Sequence, residues 1–159
     1  MSFVHLHLLL NHVPVVGVVF VVLLLAVALW KRHSDIGKLA LALLAGIAAI
    51  TAIVFLTGEP AEEAVENVAG VSEALIHQHE DVALVALIST GVVGALALGL
   101  LWWYRRQTLP RRLVGAALVV MLGVSGLMAW TANLGGQIRH SEIRSAGAVI
   151  GSEAERDDH

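Results

Sequence analysis

The side chains able to do chemistry are few and gathered at a few places. His12 stands in LLNHVPVVG, two residues before Pro14. His77 and His79 stand in LIHQHEDVAL beside Glu80 and Asp81, and Glu59 stands in TGEP. His140 stands in AWTANLGGQIRHSEIR, between Arg139 and Arg144. Haem b needs two neutral imidazoles on opposite sides of an iron, an apolar slot for the ring, and cations near its propionates. His12, His79 and His140 could supply the imidazoles, with His79 and His140 as the first pair, and Arg139 and Arg144 the cations. A metal ion without porphyrin is the competing chemistry. His77 lies three residues from Glu80 and four from Asp81, so the three share a helix face. Imidazole with carboxylate suits zinc, iron or copper, and Glu59 at a helix junction could join them.

The plain reading stands beside both. A histidine at a membrane boundary is often only an amphipathic residue at a tolerant depth. That covers His5, His7, His77 and His140 best; His12 and His79 border uninterrupted apolar runs. Glu62, Glu63 and Glu66 read as a solvated face. No nucleophile has an adjacent base, so neither a hydrolase nor a transferase is indicated.

These residues must be positioned by a chain that is mostly apolar. Its 159 residues are 57% hydrophobic and 14% charged, with a mean hydropathy of +0.79. Soluble domains are about a quarter charged, so the composition is that of a membrane protein. There is no cysteine, which excludes a disulfide scaffold, thiol redox chemistry and thiolate metal ligation. A net charge of -3 gives no sign of nucleic-acid binding. Four runs are long enough to cross a bilayer, which takes about 20 helical residues: 13–30 (lengthened at its start to about residue 6), 38–57, 82–104 and 113–134. The first carries no positive charge ahead of it and no small-residue cleavage site behind it, so it reads as a helix and not a signal peptide.

Two short basic loops, 31–38 and 105–112, join the runs into hairpins and hold seven of the ten Lys and Arg residues. Short basic loops stay in the cytoplasm. Both termini and the stretch 57–81 then face outward. That stretch carries seven acids and two histidines with no lysine or arginine. Trp30, Trp102, Trp103 and Tyr104 fall at the inner helix ends, as an interfacial aromatic belt would. Within the outer connection, Gly58 can end the second helix, and Pro60 can open a short surface helix over 60–68 with Val65 and Val68 on the bilayer. Ser72 can cap a third helix running over 73–104. Each half of the chain also repeats weakly as histidine, helix, basic turn, helix and polar close.

At the histidine openings and the Gly135-Gly136 close, the chain resembles the small four-helix bacterial membrane proteins grouped as domain of unknown function 2231. The resemblance spans about the whole membrane part, through His12 with Pro14, His79 (or His77), and Gly135-Gly136 with His140. It departs where Asn11 precedes His12, where a valine separates His12 from Pro14, and where Gln-Ile-Arg-His replaces an apolar–tyrosine close. Relatives fused to Rieske or c-type cytochrome domains imply a redox setting.

The expectation is therefore an all-α integral membrane four-helix bundle of two antiparallel hairpins with both termini outside. One domain covers 1–144, with helices over about 6–30, 38–57, 73–104 and 112–138; an acidic tail covers 145–159. In a bacterial inner membrane it would be a b-type cytochrome-like electron carrier, and not a stand-alone enzyme. A quinol or a periplasmic carrier would be its partner, beside lipid or a second copy. The alternatives are a non-haem metal-binding protein and a cofactor-free assembly subunit.

Overall fold

The computed structural model describes residues 3–64, 71–140 and 143–144, and every regular element among them is helical. The elements are α1 (Phe3–Leu10), α2 (His12–Lys31), α3 (Ser34–Leu56), α4 (Gly58–Glu63), α5 (Glu73–Trp103) and α6 (Arg111–Arg139). The expected tail, and the part of the expected surface helix beyond Ala64, lie outside the described residues.

Among the described residues, four helices are long and apolar enough to cross a membrane: Phe3–Lys31, Ser34–Leu56, Glu73–Trp103 and Arg111–Ile138. Only 22 to 28% of their apolar windows is buried inside the bundle, so core packing does not explain their composition. Phe20, Leu56, Val92, Leu96, Val119 and Leu122 all stand outward. A surface of that kind calls for a lipid or protein neighbour.

The long helices close into a ring. α2 packs on α3 and α6, and α5 packs on the same two. Each contributes a stripe at steps of three and four residues: Pro14, Val18, Val21, Leu25 and Ala28 on α2, and Gly37, Ala40, Leu41, Leu44, Ile47 and Thr51 on α3. Val82, Ala86, Thr90, Gly94 and Ala97 do the same on α5, and Val114, Met121, Val124 and Met128 on α6. This is the amphipathic pattern with its apolar stripe turned to the partner helices. α5 and α3 come close at Gly94, where a side chain would run into Ala48.

One end of the bundle is basic. Arg32 takes a left-handed conformation (φ 54°), and the His33 amide bonds back to Ala28 O at 3.0 Å, which stops α2 and releases α3. The Leu109 amide donates to Ser34 Oγ at 2.8 Å, tying the two short connections together. Lys31 lies over the Trp30 ring and Arg105 over the Trp102 ring.

Several helix ends differ from the sequence expectation. α3 begins at Ser34, about a turn before Lys38, because Ser34 and Asp35 are good residues for an unpaired helix start. The first span starts at Phe3, and Asn11, itself helical with its amide on His7 O, marks only the boundary between α1 and α2. Gly58 opens α4 and does not end α3, which stops at Leu56 with Thr57 as its cap. Pro60 sits in the first turn of α4, where a missing N–H costs nothing. Ser72 occupies the N-cap of α5, but through its backbone carbonyl, which accepts from Leu75 and Ile76; its hydroxyl makes no capping bond.

Gly94→Ala is expected to destabilise the bundle by about 1–3 kcal/mol, because Ala48 has no rotamer with which to yield. Gly123→Ala, where nothing lies within 4 Å, is the matched control. Melting in detergent checks it: a G94A midpoint equal to that of G123A would remove the close approach from the account.

Candidate functional site at the acidic end

At the opposite end, α1, α4, the start of α5 and the end of α6 converge. Glu62 on α4 meets His77 and Glu80 on α5, with one ligand atom from each lying within 4.8 Å of the others. The His77 ring stands between two acids: Nδ1 is 3.5 Å from Glu80 Oε2 and Nε2 is 3.8 Å from Glu73 Oε1. Helical spacing alone sets these pairs, since Glu73, His77 and Glu80 follow at four and three residues. Glu62 reaches them from α4, which follows α3 in the chain. One imidazole and two carboxylates form a donor set that could hold a transition-metal ion. His77 is exposed and the two glutamates are half-buried.

A second pair of imidazoles lies deeper. His79 Nδ1 is 3.0 Å from the carbonyl oxygen of Thr131 on α6. His7 Nδ1 is 3.1 Å from the carbonyl oxygen of Val54 and 3.2 Å from Thr57 Oγ1, both at the end of α3. The Thr57 hydroxyl itself donates to Val54 O at 2.7 Å, so it accepts from the histidine. Gly135 leaves room for the His79 ring: a Cβ there would sit 3.1 Å from its Cε1. Gly58 lies against the His7 ring in the same way, with more space, at 3.8 Å.

The residues singled out by sequence are thus divided. His77 and Glu80 come together; Glu59 and Asp81, named with them, are exposed and outside that group of ligand atoms. Of His12, His79 and His140, His79 is half-buried and fastened to a neighbouring helix, whereas His12 and His140 are exposed. His12 lines an apolar hollow on the outside of α2 with Val13, Val16, Gly17 and Phe20. His140 caps α6 through its backbone, its amide bonding to Gly136 O. Arg144 turns back on α6, its Nε donating to Gln137 O at 2.9 Å and its Nη2 to Ile138 O at 3.0 Å. That guanidinium caps a helix C-terminus. The Arg139 side chain is outside the described part.

Sequence reasoning passed over Glu62 and His7. Glu62 gave no signal, since its partners lie on another helix. His7 did give one: it falls seven residues before Pro14 and fourteen before Val21, on the stripe that α2 buries. Comparison of the chain with known protein families, curated proteins and solved structures gives no match.

Gly135→Ala should lower the detergent melting temperature below that of Gly136→Ala. The first presses a methyl on the His79 ring; the second meets only the tip of Ile143 at 3.6 Å and gains about 1 kcal/mol of helix propensity. Equal midpoints for the two would mean that the His79 ring is not held where Gly135 makes room.

Proposed function

We propose that this is a multi-pass membrane protein that binds a divalent transition-metal ion at its outer face, through Glu62, His77 and Glu80. The convergence of those three ligand atoms from two helices carries the reading. The donor set is hard enough for a divalent ion and nitrogen-bearing enough to prefer zinc, iron or copper to magnesium or calcium. The basic turns support an inner membrane placement with two antiparallel hairpins and both termini outside, because α2 packs on α3 and α5 on α6 with Lys and Arg at their shared ends.

After zinc loading and dialysis, elemental analysis should show one bound equivalent fewer in the E62Q/H77A/E80Q variant than in the parent protein. Unchanged stoichiometry would overturn the assignment. A reporter active only in the cytoplasm, fused after Asp158, should stay silent; an active one would put the acidic end inside.

The electron-carrier reading, in which the protein holds haem b for exchange with a quinol or periplasmic partner, is favoured by one observation. His79 presents a ring already anchored through Nδ1, as an axial ligand would. A Soret band in the purified protein, lost in His79→Ala, is its expected mark. Inserted, folded protein without that band would dismiss it.

A further inference from the structure

We infer that the basic end of the bundle holds a second binding site, a hollow that takes the phosphate of an anionic phospholipid. The hollow has a volume of about 130 Å³ and lies where the end of α2 meets the two short connections. One water needs about 10–15 Å³ of such space, so a phosphate group has room. The buried part of the lining is apolar: Ala28 on α2, Leu109, and Val114 on α6. The rest is Arg32, His33, Ser34, Thr108 and Arg111. Every one of those five side chains can donate a hydrogen bond, and none is a carboxylate. The acid nearest in sequence, Asp35, is exposed and outside the lining.

The donors are also free to turn to a ligand. At this end Lys31 lies over the Trp30 ring, and Arg105 lies over Trp102 and donates to its carbonyl at 2.8 Å. Among the described residues, the side chains of Arg32 and Arg111 have no ion pair, hydrogen bond or ring contact. Ser34 Oγ accepts from the Leu109 amide, which leaves its own proton to donate. Arg32 also occupies a left-handed position (φ 54°), where glycine or asparagine is the easier residue. The chain keeps a guanidinium there, at the edge of the hollow.

Location selects among the carriers of phosphate. Trp30, Trp102 and Trp103 are exposed at the same end, as in the aromatic girdle of a membrane boundary. Lipid phosphates lie at that depth, and guanidinium groups grip phosphate oxygens through paired N–H donors. Basic pockets between membrane helices suit anionic headgroups for this reason. A zwitterionic lipid brings its own cation and loses much of the attraction. None of this depends on the Glu62 cluster, or on which compartment the basic end faces.

The test is native mass spectrometry of the detergent-purified protein, titrated with phosphatidylglycerol or phosphatidylcholine. Phosphatidylglycerol should leave a one-lipid adduct at concentrations where phosphatidylcholine leaves none. In R32N/R111Q that adduct should weaken by about 10- to 100-fold, the loss of a hydrogen bond to a charged group. Asparagine suits the left-handed turn, so the fold is kept. R106Q/R112Q removes the same charge from exposed arginines outside the hollow; it should cost no more than about fivefold. The comparison of lipids uses the parent protein and does not depend on how the variants fold. Equal binding of the two lipids, or equal losses in the two variants, would overturn the assignment. Displacement of the lipid by inorganic phosphate at equal concentration would give the hollow to a soluble phosphate, and would overturn it too.

Discussion

The approach of α5 to α3 at Gly94 and Ala48 sets where everything at the acidic end falls. With no side chain on Gly94, the two backbones come together and the register of one helix against the other is fixed. At 1.5 Å per residue, His79 stands about 22 Å along α5 from that contact, and Thr57 about 13 Å along α3 from Ala48. His79 therefore stands farther along α5 from that contact than Thr57 does along α3, and α4 follows Thr57. Glu62 on α4 meets His77 and Glu80 there, and α1 brings His7 onto the carbonyls that α3 exposes at its end.

Polar groups are tolerated at the rim of an apolar bundle because they pair with carbonyls near helix ends. The last carbonyls of a helix have no partner within it. α3 and α6 both end here, and each has its late carbonyls met from outside the regular ladder: Val54 O by His7 and by the Thr57 hydroxyl, Gln137 O and Ile138 O by the Arg144 guanidinium. Thr131 O, a little earlier in α6, accepts from His79. Carbonyl acceptors that a lipid boundary would otherwise leave unpaired are satisfied in this way, at about 1–3 kcal/mol for each group spared.

How much of this the chain discloses depends on whether a feature is periodic or three-dimensional. The long helices are legible because composition alone forces them, and the ends of α5 and α6 follow from Glu73, Tyr104 and Arg111. His79 is legible too, three residues before Val82 and seven before Ala86 on a buried stripe. His12 misleads because an uninterrupted apolar run follows it directly. Only the phase of α2, read from Pro14, Val21 and Ala28, shows that His12 points away from the bundle and His7 toward it. Five residues separate the two histidines, about 140° around a helix. Glu62 stays hidden because nothing local marks it off from Glu59 and Glu63; its partners lie on another helix.

Two imidazoles anchored through the same nitrogen set a condition on any function at this end. A group that binds one Nε2 meets a ring whose rotation is already restrained, so less side-chain entropy is lost on binding than for an exposed histidine such as His12. The restraint comes from three different helices: α3 holds His7, α6 holds His79, and α5 carries His79 to it. Loosening any one of those contacts frees a ring without removing a ligand. The anchoring of both rings and the packing of the bundle are in that sense one object.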